Sequence, residues 1–196
     1  MGTHRYPTDG RTTIAGTAVS IAVFAFALAV GGSGFPIPHR KKALHIREQA
    51  VFSEEEPIQY PVPIFPEALQ LLLQTDEGGR GLDIANNSLR RDPARLFHAG
   101  VVHLHSIDES DLVVIGVPPM SGGDDDWFWI VRSAQRSPEI ILFVGASSLQ
   151  LMASSTKGFQ DVRAVWSGAS ETSTNIYKFN GKVYRLWKKK WTKNGR

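Results

Sequence analysis

Six short β-like runs follow one another between Trp127 and Lys188, and their spacing constrains the fold more than any other feature. They lie at 127–132, 139–145, 148–153, 161–167, 173–179 and 182–188. Closely spaced runs bounded by turn residues read as an antiparallel meander. Trp127-Phe128-Trp129-Ile130-Val131 opens the series with three consecutive aromatic residues. Asn180-Gly181 separates the last two runs, and both residues tolerate positive φ, so a tight hairpin is expected there. A two-residue turn would set Tyr177 opposite Tyr184, with Phe179 and Leu186 on their face. Ile176, Lys178, Val183 and Arg185 then share the other face, giving one packed side and one partly wet side.

Upstream, Pro66–Gln74 predicts a helix, with proline in the first turn and Leu69, Leu72 and Leu73 on one face. Gly78-Gly79 should end that segment, and a loop should run through Asn86-Asn87. Asp92–Gly100 reads as a second, short helix, with Asp92 as N-cap and Pro93 at its first position. Residues 101–107 alternate like a strand. Asp111–Val117 is apolar on both faces and therefore central. Eight strands after two helices predict an α+β fold, mainly an antiparallel sheet with one or two N-terminal helices, or a β-sandwich with a helical flap.

The ends have a different character. Ile14 to Val30 carries no charge, follows Arg5 and Arg11, and gives way to Gly31-Gly32-Ser33-Gly34. A basic start, an apolar middle and small residues describe a secretory signal, and Ala27-Leu28-Ala29 predicts cleavage after Ala29. The rival readings are a single-pass anchor, with Arg40, Lys41 and Lys42 held in the cytoplasm, and a buried helix. Six prolines between Pro36 and Pro66 predict a tether over residues 30–65, with a short helix at 40–49 and an extended stretch at 60–66. One domain is expected over 66–191, followed by a basic tail at 192–196. Eight of the 22 basic residues lie between Lys178 and Arg196, where there is no acidic residue. The remaining 14 are outnumbered by 19 acidic residues, so the basic character belongs to the C-terminal end. There is no cysteine, which excludes a disulfide framework and a thiolate metal site.

Four pieces carry a resemblance. Asp111-Leu112-Val113-Val114-Ile115-Gly116 follows an acidic turn, and Trp127–Arg132 follows a Gly/Asp loop. Thr156-Lys157-Gly158-Phe159-Gln160-Asp161-Val162 comes next, then Tyr177-Lys178-Phe179-Asn180-Gly181-Lys182-Val183-Tyr184. The order resembles a group of small exported bacterial proteins of unknown function with a "DLVV" strand, an "NGY-D" turn and a closing "Y-F-D-G-Y" hairpin. The likeness covers roughly residues 97–188. Lys157 stands where those proteins have asparagine, and Asn180 where they have aspartate. The resemblance implies a fold and export, and it implies no catalytic residues.

Three patterns bear on chemistry. Asp124-Asp125-Asp126 offers oxygen ligands for calcium, although calcium loops space their ligands along the chain. His103 and His105 would share a strand face and could take zinc or copper with a third ligand. Ser154-Ser155-Thr156-Lys157 has S-x-x-K spacing but lacks the partner Lys-Thr-Gly strand of serine acyl enzymes. Each has a plainer structural reading, and no cofactor, metal or catalytic residue is expected. Trp187, Lys188, Lys189, Lys190 and Trp191 interleave indoles with cations, a pattern suited to an anionic polymer or lipid surface. Their plainer role is a last strand that buries Trp187 and keeps a sheet edge soluble with lysine. The function expected is a non-catalytic binding or interaction protein of the cell envelope, periplasmic or secreted. Its partner would be an anionic envelope polymer, a lipid surface or another envelope protein, not nucleic acid. A small secreted hydrolase with a metal at His103 and His105, and a protein inhibitor, are the alternatives.

Overall fold

The computed structural model describes residues 49–121, 126–132 and 137–195. The expected signal or anchor, the cleavage point at Ala29, nearly all of the short helix at 40–49, and Asp124 and Asp125 lie outside these residues. The described part is an α+β fold dominated by antiparallel sheet. Nine strands form two sheets, accompanied by three α-helices. In order they are β1 (Val51–Ser53), α1 (Pro66–Leu73), α2 (Asp76–Ile84), α3 (Asn87–Arg91), a 3-10 turn (Pro93–Leu96), β2 (Phe97–Val102), β3 (Asp111–Gly116), β4 (Asp126–Arg132), β5 (Glu139–Ala146), β6 (Ser148–Thr156), β7 (Phe159–Ser167), β8 (Glu171–Phe179) and β9 (Tyr184–Lys193). The sheets run β2-β3-β4-β5 and β1-β6-β7-β8-β9. Successive strands pair as neighbours in both, and only β1 enters from a distance.

Alternation sorts the core into two clusters. On β3, Val113 and Ile115 join one cluster, while Leu112 and Val114 join the other. On β4, Phe128 and Ile130 divide from Trp129 and Val131 in the same way. The first cluster is shared with the five-stranded sheet through Phe52, Leu149, Val162, Ala164 and Phe179. The second is shared with the helices through Ala68, Leu72 and Leu96. The four-stranded sheet is therefore apolar on both faces, which is why all six residues of β3 are buried.

The chain joins the fold earlier than its prolines imply. Val51–Ser53 pairs with β6, and Phe52 is 1% exposed, so the stretch before Pro66 is not merely a tether. The extended residues at 60–66 lie beside β2, where Val62 N–H donates to the Ala99 carbonyl at 2.9 Å and Pro61 bridges to Gly100. At the other end no separate tail begins at 192, because β9 continues to Lys193.

The helices also depart from expectation. Helix α1 forms as predicted, with Pro66 in its first turn and Leu72 fully buried. Gly78-Gly79 does not stop the segment but lies inside α2, which starts at a Thr75 cap accepting from Gly78 N–H at 3.1 Å. Gly78 is there for proximity: a Cβ would sit 2.1 Å from the Leu72 carbonyl oxygen. Asn86-Asn87 is a cap and a helix start rather than a loop, for the Asn86 side chain accepts from Ser88 and Leu89 N–H. The helix expected over 92–100 is only the 3-10 turn. From Phe97 the chain is strand β2, paired residue for residue with β3. Pairing against a fully buried neighbour outweighs the local capping signals.

The hairpins show how register is set. Lys157 (φ 52°) and Gly158 (φ 84°) make a two-residue turn of the primed type between Thr156 and Phe159. At Asn180-Gly181 the connection is longer than expected. Asn180 N–H donates to the Val183 carbonyl, and its side chain accepts from Lys182 and Val183 N–H. Phe179 therefore pairs with Tyr184, and Tyr177 with Leu186. The shift is two residues, so Tyr177, Lys178, Phe179, Tyr184, Arg185 and Leu186 keep their expected faces, while Val183 lies in the connection.

Candidate binding surface on the five-stranded sheet

Strand β8 alternates without interruption, and its pairing to β7 is regular. Phe179, Tyr177, Asn175 and Ser173 share the face that meets the core, where Val162 and Ala164 lie buried. Lys178, Ile176, Thr174 and Thr172 share the outer face. Register carries that division to the neighbouring strands. Ile176 pairs with Arg163 on β7 and with Lys188 on β9. Thr174 pairs with Lys190, and Lys178 with Arg185. The outer face therefore gathers Arg163, Lys178, Arg185, Lys188 and Lys190. Four of the five are exposed, and Lys178 is half-buried. Lys188 and Lys190 are about 7 Å apart along the strand, and Arg163 lies two strands, roughly 10 Å, from Lys188.

One carboxylate underlies this face. Asp161, 2% exposed, accepts from Ser154 Oγ at 2.8 Å and Thr156 Oγ1 at 2.7 Å, and Lys178 Nζ stands 3.9 Å away. It offsets the nearest cation, Lys178, and leaves Arg163, Arg185, Lys188 and Lys190 as the excess charge of the face. Lys178 is shared, since its ammonium also lies over the Trp187 ring, 4.1 Å from the centroid. On the core-meeting face Tyr184 donates to the Gln160 carbonyl at 2.6 Å. Burial, reinforced by the charges of Asp111 and Asp161, pushes its phenol well above the ordinary value. Burial also raises Tyr177, against a hydrogen bond with Asn175 that lowers it.

The residues singled out at the C-terminus thus divide between two faces. Trp187 sits at a bulge where β9 gains a residue between Leu186 and Lys188, and it keeps company with Lys178 on the outer side. Trp191 pairs with Ser173, which pairs with Trp166, so an indole–serine–indole row crosses three strands on the core-meeting side. The two indoles meet edge to face at 6.3 Å, and Lys189 Nζ lies 4.5 Å from the Trp191 centroid. β9 is an edge strand, as the lysines imply. Burial of Trp187 is not found, however: Trp187 is 60% exposed and Trp191 51%. Trp187 faces away from the core, and among the described rings Trp191 has only the edge contact with Trp166 beside it.

The metal-binding patterns come apart. His103 and His105 follow β2 rather than lying on a strand, so alternation does not put them on one face. His105 stacks on Phe159 at 4.4 Å, and its Nε2 is 3.1 Å from Glu109. Asp126 opens β4 opposite Ala146. It also lines a cleft of about 300 Å³ with Ser53, Glu54, His98 and Ser121. Among the described residues no group of three or more His, Asp or Glu is placed to hold a metal ion. The S-x-x-K pair is structural. Ser154 serves Asp161 from within β6, and Lys157 Nζ donates to the Asn180 carbonyl from a turn.

Sequence reasoning missed Arg163 as a partner of the C-terminal cations, because only the pairing of three successive strands brings it there. The hairpin signal at Asn180 already put Lys178 and Arg185 on one face. Comparison with family models, with curated proteins and with solved structures gave no match to this chain.

Proposed function

We propose that this is a non-catalytic binding protein of the cell envelope that takes anionic ligands on the outer face of its five-stranded sheet. The observation that carries this reading is the register that assembles Arg163, Arg185, Lys188 and Lys190 on one exposed face, in excess of the one buried carboxylate beside Lys178. Like charges held close together repel, so this arrangement needs a counter-charge to be favourable at low salt. The resemblance to exported bacterial proteins and the apolar run at 14–30 support export. Core residues contributed by both sheets support a sandwich arrangement of the two.

The test is binding of the full chain to soluble polyanions at several salt concentrations. Affinity should fall linearly with the logarithm of salt, because a bound polyanion releases its condensed counterions. The variant Arg163→Ala/Lys188→Ala/Lys190→Ala should bind more weakly, with a shallower salt slope. Equal binding by parent and variant would reject the surface, and no binding to any polyanion at low salt would reject the function.

A further inference from the structure

We infer that the ligand is an acidic polysaccharide that crosses the free edge of β9, stacking sugar rings on Trp187 and Trp191 while its charged groups meet the lysines. This deepens the proposed function and rests on it. Trp187 and Trp191 are four residues apart on an edge strand and more than half exposed, and each has a lysine ammonium over its ring. A single exposed ring is ordinary, but two indoles on one edge strand, beside a cationic face, combine stacking surface with charge. Each ammonium occupies one face of its ring and restricts how the ring can turn, which reduces the ordering cost of binding on the other face.

The placement of the rings selects among anionic ligands. Trp187 lies with Lys178 on the outer face, and Trp191 lies with Ser173 and Trp166 on the opposite one. A flat lipid surface can meet one side of the sheet edge but not both. A linear polymer can pass over the edge and use both indoles. The C–H-rich face of a pyranose ring matches an indole face, whereas a bare phosphate chain has nothing to stack. Neutral hydrogen-bonding groups continue the outer face beyond Lys190: Thr172 lies on that face with Thr174, and its Oγ1 donates to Asn194 Oδ1 at 3.0 Å. Hydroxyls and amides of this kind suit sugar hydroxyls.

The experiment compares four probes with the full chain at one ionic strength: polygalacturonate, inorganic polyphosphate of matched charge, oligo-dT of matched charge and phosphatidylglycerol vesicles. Polygalacturonate should bind about ten-fold more tightly than polyphosphate and should shift the tryptophan emission. Trp187→Ala and Trp191→Ala should each weaken polygalacturonate by about five-fold, leave polyphosphate unchanged and keep the salt slope. Trp187→Phe should recover part of the loss, which separates stacking from folding. Tighter binding of polyphosphate, oligo-dT or vesicles, or indifference of polygalacturonate to both indole variants, would overturn the polysaccharide while leaving the cationic surface standing. Failure of all four probes would remove the cationic surface as well.

Discussion

Lys157 Nζ donates to the main-chain carbonyl of Asn180 at 2.5 Å, tying the β6–β7 turn to the β8–β9 turn across 23 residues of sequence. The contact holds a residue in a conformation that it does not favour. Lys157 has a φ of 52°, in the left-handed region where a Cβ is crowded and asparagine or glycine is preferred. Lys157→Asn relieves that crowding and gives up an exposed hydrogen bond. The net change expected is a stabilisation of about 0.5 kcal/mol, the relief at a left-handed position less the lost hydrogen bond, measured as a rise in the denaturant midpoint. A fall of 1 kcal/mol or more would make the tie to Asn180 the stronger effect.

Trp129 separates packing from hydrogen bonding. It is fully buried between Phe97 and Phe143, at centroid distances of 5.6 and 5.2 Å. Its indole N–H finds no acceptor among the described residues. Trp129→Ala should cost about 3–5 kcal/mol for a truncated buried aromatic. Trp129→Phe keeps the aromatic contacts and loses no hydrogen bond, so it should cost clearly less, about 1–2 kcal/mol for the smaller volume. Denaturant unfolding of both variants checks this, and equal losses would point to an unrecognised partner for the N–H.

Legibility in the sequence followed the range of the interaction. The strands from 127 onward could be read because alternation and turn chemistry act within a few residues, and tertiary pairing agrees with them. The faces of Tyr177 to Phe179 and of Tyr184 to Leu186 were readable for the same reason. Its register was not, because the Asn180 side chain caps a four-residue connection in place of a two-residue turn. At Phe97–Gly100 the local signals for a helix were sound, yet a buried neighbouring strand overrode them. Gly78 resembles a helix stop in the sequence, but its role is close contact with Leu72, which no local pattern reveals. The candidate surface was half visible. The C-terminal cations are consecutive, but their division between two faces depends on one bulge at Trp187, and Arg163 joins them only through pairing across β8.

Phe52 tests whether the domain begins before its helices. Strand β1 has only three residues, but Phe52 pairs with Leu149 and is almost fully buried in the cluster that both sheets share. Phe52→Ala should therefore cost about 3–5 kcal/mol, as for other buried phenylalanines. A loss under 1 kcal/mol by calorimetry or denaturant would return residues 49–65 to the status of a tether.

Tyr184 should make the fold sensitive to alkali. Burial, together with the charges of Asp111 and Asp161, raises its phenol above the value of about 10 that it has in an unfolded chain. The folded protein thus keeps a proton that the unfolded chain loses. The resulting contribution is fully present below about pH 10 and is lost as pH rises through the folded value, at about 1.4 kcal/mol per pH unit. Tyr184→Phe removes the titrating group and its hydrogen bond to the Gln160 carbonyl. At pH 7 the variant should be about 1 kcal/mol less stable, the usual net value of one such bond. Between pH 10 and 12 its stability should fall less steeply than the parent's, so the two curves converge and then cross. Unfolding free energies measured by urea titration across that range decide the matter, and parallel curves would mean that Tyr184 ionises as readily in the folded protein as in the unfolded chain.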